Sequence, residues 1–341
     1  MKKNSHSLIR LISLGLLILS CLPVYSQIIT SNEIDSLVEK TLTTFNVPGI
    51  AVAVVKDGSV IHVRGYGVRS LSTKQKVDEN TLFCIASNSK AFTSAALGIL
   101  VEEKKLNWSD KVIDYIPEFR LYNPYVTEEF TIRDLLSHRC GLGLGAGDLM
   151  TFPALNDFTK NDIIHNIRYL KPVSSFRAKY DYDNLMFIVA GEVVARVSKM
   201  TWEDFVETRI MKPLNMTVSA AAYSRLKDKS NVTDPHILYD GVVQVIDRSF
   251  HFNEAGNSAA GIYSNVTDMS KWIIMHLNDG RYGEGLNKQL FSKEVHEQMW
   301  SPQTIIPVRD TSEYHIHFSS YGLGWFIRDV KGYKQVGHTG G

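Results

Sequence analysis

"TLFCIASNSKAFTSAALGIL" (residues 81–100) sets a serine and a lysine three positions apart, just where an apolar run becomes a helix. The helix is largely apolar after Lys90 and turns charged at Glu102-Glu103-Lys104-Lys105, the pattern of a core helix that surfaces at its end. Positions i and i+3 share a helix face, so the Ser87 hydroxyl and the Lys90 ammonium stand about 5–6 Å apart at Cβ. A serine attacks poorly unless a neighbour takes its proton. A lysine desolvated among apolar side chains has the lowered pKa to do that. The helix N-terminus adds N–H groups where an oxyanion would form. A plain helix-capping serine fits the same spacing. Ser224-Arg225-Leu226-Lys227 repeats it in a charged, solvated run, so the spacing by itself decides little.

Two further clusters carry chemistry. Tyr180-Asp181-Tyr182-Asp183-Asn184 stands before the amphipathic "LMFIVAGEVVARVS". A tyrosine among cations can share its proton, and an asparagine two residues on can donate its amide to a substrate carbonyl. Tyr263-Ser264-Asn265 has the same form, and either tyrosine also reads as an aromatic anchor. His338-Thr339-Gly340 follows the strand-like "YKQV" and combines a polar ring, a hydroxyl and a glycine that lets another backbone approach.

The 341 residues, 44% hydrophobic and 21% charged, suit one catalytic-sized globular domain. A formal charge of +1 gives no basis for a nucleic-acid partner or a basic membrane-coating face. Lys2, Lys3 and Arg10, the apolar "LISLGLLILS" and Val24-Tyr25-Ser26 read as a signal peptide over 1–26, cleaved before Gln27. The protein is therefore expected to be exported, periplasmic or extracellular. Cys21 offers lipidation as a second route, but Leu19 is uncommon in that box, so ordinary cleavage is favoured. No later apolar run is long enough to span a bilayer. The mature chain keeps Cys84 and Cys140, enough for one bridge at most.

Thr30 to Glu33 forms a capping-box helix start. "PGIAVAVVKDGSVIHVRGYG" reads as a hairpin turning at Lys56-Asp57-Gly58-Ser59. Residues 105–250 read as helices and loops, and "YGLGWFIRDV" and "YKQVG" as late strands. This order predicts an α+β fold, not alternating βαβ units.

Taken together, Ser87-x-x-Lys90, Tyr182-x-Asn184 and His338-Thr339-Gly340 resemble, in that order, the three motifs of serine β-lactamases and penicillin-binding proteins. In particular they are similar to class C β-lactamase-like serine hydrolases, with their esterases, D-aminopeptidases and D-Ala carboxypeptidases. "FTIRDLLSHRCGLG", with Cys140 where serine is usual, "AAGIYSNVTDMSKWI", with Ala260 for a glycine, and "YGLGW" also resemble that branch. The likeness runs from about residue 33 to 341. It implies a β-lactamase/transpeptidase-like fold, an antiparallel sheet flanked by helices plus a mainly helical region. It also implies two strands and a helix beyond Gly341, so the domain over 27–341 reads as C-terminally truncated.

The resemblance assigns roles by position. Ser87 would be the nucleophile, Lys90 would assist its deprotonation, and Tyr182 would act as base and then as acid. Which of Lys90 and Tyr182 holds the proton stays open. Asn184, His338, Thr339 and Gly340 would bind substrate, and the backbone N–H groups of Ser87 and Gly341 would form the oxyanion hole. No metal or organic cofactor is implied, and the partner is a small-molecule or short-peptide substrate. His338 replaces the lysine of true β-lactamases. A mostly neutral imidazole would attract a substrate carboxylate less, which favours esters or amides. D-Ala carboxypeptidase, transpeptidase or β-lactamase activity is the alternative within the scaffold, and a non-catalytic penicillin-binding sensor or inactive fragment the alternative outside it. His138 would sit in a structural loop, and Cys140 reads as a small packing residue. His315 and His317 read as a polar strand face, with no third metal ligand in view.

Overall fold

In the computed structural model the described residues are 29–153, 156–248, 253–309 and 314–341; the expected signal peptide and Cys21 lie outside them. Helix α1 (Ser31–Phe45) begins with the expected capping box, in which Thr30 and Glu33 satisfy each other's backbone N–H groups. Strands β1 (Gly49–Lys56) and β2 (Ser59–Gly67) pair antiparallel. Their two-residue turn has φ of 50° at Asp57 and 74° at Gly58, the left-handed pair that matches strand twist.

The short strand β3 (Phe83–Cys84) leads through Ala86 into α2 (Ser89–Glu102), whose residues from Ser89 to Leu100 are all buried. Helix α2 is the centre of the molecule. It packs on α3 (Leu185–Ser198), and Phe92 stacks on Trp272 with ring centroids 4.0 Å apart. Trp272 belongs to α4 (Val266–Leu277).

The described residues between 105 and 248 are helical and looped as expected, with one exception. His236–Tyr239 and Val242–Val245 form a hairpin around Asp240-Gly241, a D-G turn between β-rich runs that the helical surroundings obscure. The late strands form an antiparallel sheet of four, in which Tyr333–Gly337 pairs with Phe326–Val330, then Ser319–Tyr321, then Thr304–Ile305. Among the described residues no ladder joins this sheet to β1 and β2. His315 and His317 lie in the loop before Ser319, not on a strand face, and His315 has a φ of 48°.

The loop carrying His138 and Cys140 is anchored at the short helix Ile132–Leu135. Thr131 and Asp134 form a buried capping box there, and Asp134 also binds Arg139 and Arg177, each at 2.6 Å. Thr131→Ala is expected to lower unfolding free energy by about 1–2 kcal/mol in urea titration. No change would mean that the arginines alone hold the turn.

Candidate active site

Ala86 turns the chain from β3 into α2 with a φ of 45°, a left-handed conformation rare for a residue with a Cβ. That turn presents Ser87 on the N-terminal side of α2, and one helical turn later Lys90 points back at it. Lys90 Nζ lies 3.0 Å from Ser87 Oγ, and the Tyr182 hydroxyl donates to the same Oγ at 2.8 Å. Tyr182 arrives from the segment before α3, so two helices that pack together bring the first two motifs onto one oxygen.

Lys90 is fully buried and donates to Asn184 Oδ1 at 2.8 Å and to the Ala259 carbonyl at 3.1 Å. Both of these can only accept. A neutral amine has two N–H bonds and one lone pair, so with both hydrogens committed the lone pair faces Ser87. Burial lowers the Lys90 pKa to about 7, against the pull of the Asp183 and Asp148 carboxylates. Burial likewise pushes the Tyr182 phenol up to about 12, partly offset by its bond to Ser87. Near neutral pH the phenol is therefore a proton donor and Lys90 is the group poised between two states.

Asn184 is more occupied than its expected role suggests. Its Oδ1 takes a hydrogen from Lys90 and its Nδ2 donates to Asp148 at 3.2 Å, which leaves one amide hydrogen for a ligand. His338 is neutral, as expected, because burial lowers its pKa to about 3. Its ring nitrogens are both engaged. Nδ1 donates to the Thr339 carbonyl at 2.6 Å, and Nε2 accepts from the Tyr321 hydroxyl at 2.8 Å. Gly340 passes against the Ser87 backbone: a Cβ built there would stand 2.5 Å from the Ile85 carbonyl oxygen and 3.0 Å from Ser87 N. Gly341 and Ala86, on either side of this contact, line a cavity of about 260 Å³ with Cys84, Tyr223, Arg248 and Tyr263.

The structure thus gathers Ser87, Lys90, Tyr182, Asn184 and Gly340 at one point. It sets the look-alikes elsewhere. Ser224 and Lys227 are exposed. Tyr263 is buried in a strand paired with Cys84, and Asn265 caps α4 through Asp268 N. Cys84 and Cys140 are free thiols. Sequence reasoning gave no role to Asp148, Tyr321 or Ala259; Tyr321 and Ala259 begin the quoted "YGLGW" and "AAGIYSNVTDMSKWI" segments, whereas no local pattern marks Asp148. Among the described residues no cluster of three or more His, Cys, Asp or Glu could hold a metal.

The Beta-lactamase family model matches residues 34–341. The chain is 30% identical over 319 residues to unguisins hydrolase ungD' of Aspergillus campestris, covering 91% of this chain and 57% of that protein. It is 28% identical over 256 residues to protein flp of Staphylococcus aureus strain COL, covering 73% of this chain and 49% of flp. The chain spans about half the length of these curated relatives. Among solved structures, the octameric penicillin-binding protein homologue from Pyrococcus abyssi superposes with a TM-score of 0.76 at 24% identity, covering 91% of this chain and 68% of that one. The D-amino acid amidase from Ochrobactrum anthropi SV3 gives 0.70 at 18% identity, covering 89% and 82%. At these identities the structures speak for the fold, which is β-lactamase/transpeptidase-like and α+β. No helix among the described residues is long and apolar enough to cross a membrane.

Proposed function

Because the chain belongs to the beta-lactamase family, we propose that it is a serine hydrolase working through an acyl-enzyme on an ester or amide. The observation that carries this reading is the Ser87 oxygen held between the Lys90 amine and the Tyr182 phenol at 3.0 and 2.8 Å. A hydrolase is also what the relatives of Aspergillus are named.

In the proposed acylation, Ser87 Oγ bonds to the substrate carbonyl carbon while its proton passes to the Lys90 lone pair. The carbonyl oxygen becomes an oxyanion against the N–H groups of Ser87 and Gly341. Tyr182 then protonates the leaving group and is itself reprotonated from Lys90. This proposal departs from the expected roles, in which Tyr182 is base and then acid and Lys90 assists: here Lys90 takes the proton and Tyr182 gives one. A water molecule repeats the sequence on the acyl-enzyme and frees Ser87. Asn184 holds Lys90 and offers its remaining amide hydrogen to the substrate.

The neutral His338 supports a substrate without a carboxylate beside the scissile bond. A β-lactam or a D-Ala-D-Ala terminus carries that charge, so such activity should be weak. The basic and apolar leader supports export, with residues 27–341 as one hydrolase domain. A fluorophosphonate adduct mapped by peptide mass spectrometry is expected on Ser87, and a short-chain nitrophenyl ester is expected to turn over faster than a chromogenic cephalosporin. An adduct elsewhere would remove Ser87 as nucleophile. Faster cephalosporin cleavage would reverse the substrate assignment.

A further inference from the structure

The proposed mechanism gives Asp148 no task. It stands on the loop between Gly141 and Thr151 and is half-buried. Its Oδ1 accepts an Asn184 Nδ2 hydrogen at 3.2 Å, and among the described residues no other donor reaches its carboxylate. The loop is fixed at this point. The Asp148 carbonyl accepts the Thr151 N–H and the Thr151 hydroxyl, both at 2.9 Å. Asn253 donates its side-chain amide to the Met150 carbonyl at 3.2 Å and its backbone N–H to the Thr151 carbonyl at 2.8 Å. Soon after Asn253 comes the short helix Asn257–Ala260, whose Ala259 carbonyl accepts from Lys90. One loop is thus tied both to Asn184 and to the segment that supplies the other acceptor of Lys90.

A side-chain amide has two ends of similar shape and opposite chemistry, and it can sit either way round. With Oδ1 toward Lys90, Asn184 accepts at 2.8 Å and the amine's lone pair stays on Ser87 Oγ. Reversed, Nδ2 would face Lys90 instead. It would meet an ammonium donor to donor, or donate into the lone pair of the neutral amine and take it from Ser87. Lys90 alone does not forbid that second arrangement, because its neutral form both donates and accepts. A carboxylate only accepts. Against a reversed amide it would stand acceptor to acceptor with Oδ1, so it permits one orientation. We propose that Asp148 is a positioning residue: by accepting from Nδ2 it fixes the Asn184 amide with Oδ1 on Lys90 and keeps the Lys90 lone pair for Ser87. The inference rests on the serine-hydrolase reading.

Two other roles compete, a direct contact to substrate and a charge that favours the Lys90 ammonium. The rate at which a neutral alkyl fluorophosphonate labels Ser87 at pH 9 is sensitive to neither. Such a probe offers Asp148 no donor and no positive charge. Lys90 is neutral at that pH in every variant, because its pKa is about 7 and losing a nearby negative charge lowers it further. Asp148→Ala is expected to slow labelling by about 10- to 100-fold, the range for losing a hydrogen bond to a charged group. Asp148→Ser, too short to reach Nδ2, carries the same expectation if the alanine variant does not fold. Asp148→Asn is expected to fall between wild type and Asp148→Ala. Its carbonyl accepts the same hydrogen, but its own amide tolerates the reversed pair. The decisive comparison is made in Asn184→Ala, where removing Asp148 as well should slow labelling no further. Additive losses in that double variant, a rate within about threefold of wild type in Asp148→Ala, or an asparagine variant no faster than the alanine one each overturn the proposal. Wild type that does not label at Ser87 refutes the hydrolase reading itself, whereas labelled wild type with any of these outcomes refutes only the role of Asp148.

Discussion

Lys90→Met is expected to slow acylation of Ser87 by about 10²- to 10⁴-fold, the usual worth of a positioned general base. The side chain is fully buried, so methionine fills a similar volume without leaving a charge to solvate. What disappears is the lone pair 3.0 Å from the serine oxygen. Tyr182 cannot substitute, because its phenol is pushed up to about 12 and holds its proton at neutral pH. The pH dependence carries a second, independent signature. With the Lys90 pKa near 7, the wild-type rate should rise through about pH 7 and level off above it. Stability should follow the same group. Folded Lys90 loses its proton near 7 and unfolded lysine near 10.4, so between those values the unfolded chain binds more protons. Wild type should therefore gain stability relative to Lys90→Met as pH rises from about 7 toward about 10. Urea midpoints at pH 7 and pH 9 for both proteins measure this. A rate within tenfold of wild type, or a flat wild-type profile from pH 6 to 8, would remove Lys90 as the base.

Why the sequence yielded the serine, the lysine and the tyrosine but not their supports is a matter of distance along the chain. Ser87 and Lys90 share a helix face, and an i,i+3 spacing can be seen in four letters. The turn at Asp57-Gly58 and the capping box at Thr30 are likewise complete within four residues. The bonds that tune the site span far more. Lys90 finds Asn184 across 94 residues and Ala259 across 169, and Cys140 finds Asp183 across 43. No periodicity encodes such pairings; tertiary packing makes them, of α2 on α3 for Asn184 and of the short helix Asn257–Ala260 on α2 for Ala259. The hairpin at 236–245 failed for the opposite reason. Its D-G turn was local and readable, but its setting among helices argued against a strand. His338 divides between the two cases. Its neutrality followed from its chemistry, whereas the occupation of both ring nitrogens depended on Tyr321, which sits on another strand.

Gly340→Ala is expected to reduce kcat by about 10²- to 10³-fold with a smaller change in KM, the loss associated with a misplaced oxyanion donor. An added Cβ would meet the Ile85 carbonyl oxygen at 2.5 Å, Ser87 N at 3.0 Å and the Ala86 Cβ at 3.1 Å. None of these is the far end of a flexible side chain, so the contact cannot be relieved by a rotamer change. Either the segment after Gly337 lifts away or the Ala86-Ser87 turn shifts. That turn already holds Ala86 at a φ of 45°, with little freedom to adjust. Both movements separate the N–H groups of Ser87 and Gly341, which the proposed mechanism aims at one oxygen. Backbone strain at Gly340 is not the cause, since its φ lies outside the left-handed range. Gly341→Ala is the matched control. A Cβ there meets nothing within 4 Å and the N–H is retained, so activity should stay within a few-fold of wild type. Steady-state kinetics on the nitrophenyl ester, with labelling of Ser87 to count active sites, compares the two. Equal losses in both variants, or none in Gly340→Ala, would mean that the close passage of this segment past Ser87 does not build the oxyanion site.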